Sequence, residues 1–174
     1  RSTDGTNWVN ITPAGFPTQY QRVVLASSPQ NPNSFFLLAL TPGSGKIGRD
    51  FRGNPEYHSL YKYTYLQGDG AGVNGSWDNL SSNLPVGPNP FDDYVSQGGY
   101  CMALDVSPFD SNLVAIGGTN LYISTDGFRS DSNIRYAGGY GETTVLPDFQ
   151  VYENHHPDIQ TLLFSPFKSN ELYS

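Results

Sequence analysis

The sequence predicts an all-β fold made of successive antiparallel sheets. Two observations support this prediction. The 174 residues include 19 Gly and 13 Pro together with 12 Tyr and 10 Phe, a composition typical of short strands joined by many turns. An apolar strand pair also recurs three times along the chain, each time around a Ser-Pro dipeptide, and such internal repeats indicate a repeated architecture.

The charge pattern excludes several classes of protein. The chain has 9 Lys and Arg against 16 Asp and Glu, which gives a net charge of −7. Its basic residues are scattered, whereas a nucleic-acid-binding surface needs a clustered basic face. No run approaches the roughly 18 consecutive apolar residues of a membrane helix, so we expect no membrane span. The lone Cys101 lies in an apolar run, which favours a buried small hydrophobic residue over a reactive thiol.

Each copy of the repeat contains an apolar strand, Ser-Pro, three variable residues, Asn and a second apolar strand. The three dipeptides are Ser28-Pro29, Ser107-Pro108 and Ser165-Pro166, and Asn follows each Ser by five residues. Proline cannot donate to a neighbouring strand, so we expect the chain to leave the strand there. We expect the Asn to close the turn, because it tolerates the left-handed conformation. Each copy therefore predicts two antiparallel strands joined by a short loop.

A Ser-Thr-Asp-Gly tetrapeptide occurs twice and predicts a second kind of turn. Its Asp can accept hydrogen bonds from backbone amides, and its Gly can supply a positive φ. A Trp three residues beyond the first tetrapeptide is expected to pack over the hairpin, and Trp77 matches its position in the next repeat. We assign a structural role to Ser2, Asp4, Gly5, Trp8, Ser124, Asp126 and Gly127.

These two motifs together resemble a known family of repeats. Ser-x-Asp-Gly followed by Trp resembles the Asp-box, or BNR repeat, of sialidase-like, sortilin-like and xyloglucanase-like β-propellers. The order of strand, Ser-Pro-x-x-x-Asn, strand, strand and Asp-box resembles one blade of that family. The resemblance implies a β-propeller of four-stranded antiparallel blades. It also places the Asp-box at the periphery of a blade, away from the central cleft.

The blade pattern divides the chain into parts of one propeller. We expect the end of one blade, a full blade, a blade with a long insertion and the first half of a further blade at residues 1–12, 20–85, 100–154 and 159–174. The wide spacing of the repeats predicts loop insertions at 41–58, 86–99 and 129–154. A closed propeller needs about four to eight blades. We therefore expect the rest of the ring to come from further chain, or a partner to stabilise this part.

Two aromatic loops are candidates for binding. The first is the Gly-rich run from Tyr136 through Tyr140 to Glu142, which lacks the Gly-Lys-Ser/Thr of a phosphate-binding loop. The second is the Pro/Asp/Tyr-rich run that ends at Tyr94. Exposed Tyr side chains in such loops could stack on a sugar ring or a peptide. The alternative is that both loops pack on neighbouring parts of the protein.

A His-His-Pro-Asp segment precedes the third strand pair. His155, His156 and Asp158 have the residue types and spacing of a metal-ligand or catalytic pair. The alternative is a turn in which Asp158 bonds backbone amides while a His packs between blades. We favour the turn because no third ligand is apparent in the sequence, and we predict no metal and no cofactor.

Two functions remain open at this point, and we favour the non-catalytic one. A propeller that presents aromatic loops could bind a glycan or a protein at a cell surface, or act as a structural module. The alternative is a glycoside hydrolase, which needs two carboxylates flanking the scissile bond. No pair stands out among the candidates Asp92, Asp93, Glu142, Asp148, Glu153 and Asp158, so we assign no catalytic residue.

The style of the sequence is similar to that of secreted bacterial propellers. Low charge, abundant Asn, Gly and Tyr, and the Ser-Pro and His-Pro-Asp patterns resemble Bacteroidetes surface proteins, which include cargo of type IX secretion. This resemblance implies an extracellular or cell-surface location.

Overall fold

A computed structural model describes residues 1–141 and 143–174, and of Pro90 it describes the backbone. Within this part of the chain, regular structure consists of antiparallel strands and three short 3₁₀ turns at Gly72–Asn74, Ser81–Asn83 and Pro90–Asp92. The all-β prediction is therefore confirmed.

The first sheet contains five antiparallel strands, which are β1 (Val23–Ser28), β2 (Asn31–Leu40), β3 (Lys46–Arg49), β4 (Pro55–Tyr65) and β5 (Gly75–Asn79). Its spatial order is β1-β2-β4, and β3 and β5 share the far edge of β4. Leu38 on β2 lies opposite Leu60 on β4, and both side chains are buried. Because side chains alternate between faces, this register puts one apolar set of each strand on the same side of the sheet.

The second sheet is a four-stranded antiparallel meander, followed by a two-stranded hairpin. The meander consists of β6 (Ala103–Val106), β7 (Val114–Gly117), β8 (Leu121–Ser124) and β9 (Ile134–Gly138), and the hairpin of β10 (Leu163–Phe164) and β11 (Leu172–Tyr173). The prediction that 129–154 is wholly an insertion is wrong, because β9 lies inside it and pairs with β8. Likewise, β3 and the start of β4 lie within the predicted insertion 41–58.

Each Ser-Pro motif connects two paired antiparallel strands, as the repeat predicts. The expected role of the Asn is wrong, since none of the three has a positive φ. The Ser closes the turn instead. The Oγ atoms of Ser28, Ser107 and Ser165 accept hydrogen bonds from backbone N–H groups two residues further on, at 3.2, 3.2 and 3.4 Å. This is the local hydrogen bonding by which Ser favours turns.

Two hydrophobic layers hold the three sheets together. Between the first and second sheets, Phe36, Leu38 and Leu60 pack with Leu104 and Ile116. The other face of the second sheet packs against the hairpin, through residues that include Ala103, Ala115, Leu121, Ile123, Ile159, Leu162 and Phe164. The second sheet is thus covered on both faces, and each layer is a separate core cluster.

The leading strands of the three sheets are neighbours in space. β1 contacts β6, and β6 contacts β10. Two buried polar bonds link them: Ser28 Oγ donates to the Ser107 carbonyl at 2.6 Å, and the Phe164 N–H donates to Asp105 Oδ2 at 2.6 Å. The sheets therefore stack in sequence order, with their first strands on one side of the stack.

Candidate functional site

The long connections of the first two sheets meet at one end of the stack, which we call the loop face. It comprises residues 41–54, 80–102 and 118–120, and the described residues between 139 and 162. In an antiparallel meander, successive connections alternate between the two ends of the sheet. The Ser-Pro turns lie at the opposite end, where the Gly127 N–H donates to the Asn112 carbonyl at 2.7 Å.

Four aromatic side chains form a cluster on the loop face. Phe91 is buried and lies 6.2 Å from Phe51 in a stacked arrangement, 5.3 Å from Tyr140 and 5.9 Å from Phe149, measured between ring centroids. Phe51 and Phe149 remain 42% and 50% exposed. Large apolar side chains that stay exposed as a cluster are typical of a binding surface.

A cavity of about 400 Å³ opens beside this cluster. Phe51, Phe91 and Tyr140 line it together with polar residues that include Arg52 and Gln97. The Arg52 guanidinium lies over the Phe51 ring, 5.0 Å from its centroid. A concave site that combines aromatic walls with a few polar groups has the usual make-up of a small-ligand site.

Glu56 fixes the wall of this cavity rather than facing it as a free acid. Its two carboxylate oxygens accept hydrogen bonds from the Ser96 and Gly98 backbone N–H groups. Between them Gln97 has a left-handed backbone, with φ of 51°, and its side-chain amide donates to Asp158 Oδ1 at 2.5 Å. On the other side of this loop, Arg22 donates to the Gly99 carbonyl at 2.9 Å. Charge-assisted hydrogen bonds to Glu56, Asp158 and Arg22 therefore hold the loop.

A Ser–His–Glu group lies under the same loop but lacks the geometry of a catalytic triad. His58 Nε2 lies 2.8 Å from Ser96 Oγ and 3.4 Å from a Glu56 carboxylate oxygen, so both partners sit at one ring nitrogen. In a triad the carboxylate binds the opposite nitrogen from the Ser. Ser96 is also completely buried. Burial lowers the pKa of His58 to about 4, against the opposing effect of Glu56, which keeps the imidazole neutral at physiological pH.

The predicted binding tyrosines fall in different environments. Tyr140 belongs to the aromatic cluster. The expectation that Tyr94 is an exposed loop residue is wrong: it is 2% exposed, and its hydroxyl donates to the Gly117 carbonyl at 3.1 Å. Tyr136 lies on β9 rather than on a loop, packs against Tyr122, and donates to the Tyr140 carbonyl. Of the three, Tyr140 alone lines the cavity.

The His-His-Pro-Asp segment forms a turn at the loop face. His155 Nδ1 accepts from the Gly139 N–H at 3.0 Å, and burial lowers the pKa of this imidazole. The exposed His156 contacts the neighbouring Pro157 carbonyl through Nδ1. Asp158 binds the Gln97 side chain and lies 3.9 Å from Cys101 Sγ, instead of bonding backbone amides. In the described residues, no three His, Cys, Asp or Glu side chains form a potential metal site.

Cys101 is fully buried. Burial, followed by the nearby Asp158 charge, raises the pKa of its thiol to about 12. A thiol with so high a pKa carries little thiolate and is a poor nucleophile, in keeping with a small hydrophobic residue.

Both Ser-Thr-Asp-Gly tetrapeptides form a similar closed turn. In each, the Ser hydroxyl donates to the Asp carboxylate, at 3.1 Å for Ser2 and Asp4 and at 2.9 Å for Ser124 and Asp126. Backbone N–H groups further along each turn donate to the same carboxylates. Gly5 and Gly127 have φ of 74° and 69°. The Asp4 and Asp126 carboxylates therefore have a structural role, since they accept the hydrogen bonds that close each turn.

The two tryptophans differ in their packing. Trp77 packs against Phe35 and Tyr63, and its indole N–H donates to the Ile11 carbonyl at 2.7 Å. The expectation that Trp8 covers its hairpin is wrong, because its side chain is 73% exposed.

The carboxylates considered for hydrolysis lie in different environments. Asp93 is buried and accepts from the Arg49 and Gly87 N–H groups at 2.7 and 2.9 Å. Asp148 and Glu153 are exposed on the 143–154 connection, and Glu142 lies outside the described residues. The glycoside hydrolase stays a prediction, without a structural observation in its favour.

Sequence reasoning missed the main components of the site. Phe51, Arg52, Phe91, Gln97 and Phe149 come from three loops that are far apart in sequence. No local motif joins them. The one signal present was the density of aromatic residues in regions that the repeat pattern left over as insertions.

Comparisons with known proteins identify no relative. No protein-family model matches the chain, and no curated protein or solved structure shows significant similarity to it. Across the described residues, no helix has the length and apolar character needed to cross a bilayer.

Proposed function

We propose that this chain is part of a secreted or cell-surface β-propeller, which binds a glycan or a protein through its loop face without catalysing a reaction. The observation that carries the binding role is the exposed aromatic cluster around Phe51 and Phe149, which borders the cavity. The proposal of a propeller is supported by the way the sheets stack, and the proposed secreted location is supported by the resemblance of the sequence to secreted Bacteroidetes propellers.

The stacking is head to tail, which supports a propeller. Leu104 and Leu162 each lie three residues before the Ser of their repeat. Leu104 packs toward the first sheet, and Leu162 packs toward the second. The equivalent Leu25 is 61% exposed and lines an apolar groove of about 600 Å³ on the outer face of the first sheet. Equivalent positions therefore point the same way in every sheet.

At the other end of the stack, the outer face of the hairpin is also uncovered. Phe36 and Ala115 each lie three residues after the Asn of their repeat, and both pack against the following sheet. The equivalent Tyr173 on the hairpin is 55% exposed. Repeated head-to-tail contacts generate either a closed ring or an open filament. A closed ring of about four to eight sheets would cover the outer face of the first sheet at Leu25 and the outer face of the hairpin at Tyr173.

Binding through the loop face is tested by removing its exposed rings. We expect the double variant Phe51→Ala/Phe149→Ala to lose at least tenfold in affinity for glycan arrays or for the surface of the source cells. Both rings are about half exposed, so the fold should tolerate the change. The matched control is Phe167→Ala, an 88% exposed ring beside a Ser-Pro turn. Equal binding by all three proteins would exclude the loop face.

A further inference from the structure

We propose that the loop-face cavity is a subsite for a neutral sugar unit of a polysaccharide, an assignment that rests on the binding role above. The cavity measures about 400 Å³ and has aromatic walls with polar groups beside them. Sugars present exactly these two kinds of surface, since each ring has apolar C–H faces and a hydroxyl rim. The residues that carry the proposal are Phe51, Arg52, Gln97, Thr119 and Tyr140.

The aromatic walls supply the apolar half of the recognition. Phe51 and Tyr140 enter the lining from different loops, and the buried Phe91 supports both at ring-centroid distances of 6.2 and 5.3 Å. A supported ring loses little conformational freedom when a ligand packs on it. The walls are therefore preorganised for the C–H face of a sugar.

Donors and acceptors stand beside these walls. Arg52 makes no ion pair among the described residues, so its guanidinium N–H groups can donate to hydroxyl oxygens. The Gln97 amide nitrogen is used by Asp158, which leaves the Gln97 carbonyl oxygen as an acceptor. Thr119 also lines the cavity, and its buried hydroxyl lies 3.9 Å from Cys101 Sγ. A purely apolar ligand would remove the water that is hydrogen-bonded to these groups and would offer no hydrogen bonds in its place.

The charges of the lining favour a neutral sugar over an acidic one. Asp50 and Glu56 line the cavity with Arg52 as the one cation in the lining, and the whole chain carries a net charge of −7. A carboxylate or sulfate on the sugar would meet repulsion from both acids. Uncharged hydroxyls meet no such repulsion.

The lining also disfavours an extended peptide. Peptides commonly bind by adding a strand to an unpaired sheet edge. The two strand residues of the lining, Pro55 and Glu56, are paired with Arg49 and Gly48 of β3. The remaining lining comes from loops, whose form suits a compact ring.

The experiment is isothermal titration of the whole chain with three probes: cellohexaose, mannohexaose and hexagalacturonate. We expect at least one neutral hexaose to bind more tightly than the acidic one. Phe51→Ala should weaken that binding at least tenfold and Arg52→Ala at least threefold, while Phe167→Ala leaves it unchanged. Tighter binding of hexagalacturonate, or equal affinity in wild type and Phe51→Ala, would overturn the proposal.

A second measurement separates this proposal from the binding role on which it rests. Cell-surface attachment is measured before and after periodate oxidation of surface glycans. Attachment that survives periodate, yet is lost in Phe51→Ala/Phe149→Ala, would refute the sugar ligand and retain the loop face as a protein-binding surface. Attachment that is unaffected by the double variant would refute both. We expect attachment to be lost both after periodate oxidation and in the double variant.

Discussion

His58 shows at the scale of one residue how buried polar groups shape the loop face. Its ring packs at 4.7 Å against the buried Tyr94, and its Nε2 contacts Ser96 Oγ. Glu56 binds the backbone on both sides of Gln97. One buried network thus fixes the loop that carries the cavity residue Gln97. The same burial makes the protonation of His58 unfavourable.

This network makes stability depend on pH. Burial lowers the pKa of His58 from 6.5 to about 4 in the folded chain. The unfolded chain therefore takes up the proton first as the pH falls from 6.5 toward 4, which lowers the free energy of unfolding. At about 1.4 kcal/mol per pKa unit, the free energy of unfolding falls by at most about 3–4 kcal/mol. The free energy of unfolding, measured by urea denaturation, should fall less between pH 7 and pH 4.5 for His58→Gln than for wild type. Equal losses would contradict the account.

At the scale of elements, strand pairs were predictable where the chain repeats a pattern. Three Ser-Pro motifs predicted three hairpins, and all three are present. Strand β9 was missed because a Gly-rich run follows Tyr136 and hides its short apolar alternation. The burial of Tyr94 was missed for a different reason. Tyr94 contacts His58 and Gly117 at the end of the distant strand β7, and no local pattern reveals these contacts.

The contact between the second sheet and the segment that leads into the hairpin is tight at Gly117. A Cβ built there would lie 2.5 Å from Ile159 Cγ2 and 2.7 Å from Ile159 Cβ. We expect Gly117→Ala to destabilise the chain by about 1–3 kcal/mol through overpacking. In an Ile159→Gly background the same change should cost less, because both Ile159 atoms that the new Cβ would meet, Cγ2 and Cβ, are then absent. Thermal unfolding of the four proteins in this cycle measures the coupling, and strict additivity would contradict the tight contact.

At the scale of the whole molecule, the loop-face site illustrates the limit of sequence reasoning. Tyr140 was predicted from a Gly-rich aromatic run, and Phe149 contacts it from the same connection. Phe51 comes from the first sheet and reaches this cluster through Phe91. The turn chemistry of the two Ser-Thr-Asp-Gly tetrapeptides is local, and the sequence motif predicts it. A binding surface assembled from three loops depends on long-range register, and that register is set by the cores between sheets.

The central claim is that these sheets are consecutive members of a ring. Determining the structure of the complete gene product by crystallography or cryo-electron microscopy tests it most directly. The account predicts that a further four-stranded sheet covers Leu25, as the first sheet covers Leu104. It also predicts that another strand pair completes the sheet begun by β10 and β11, around one shared axis. A structure in which Leu25 and Tyr173 face solvent, or in which helices cover them, would contradict the propeller.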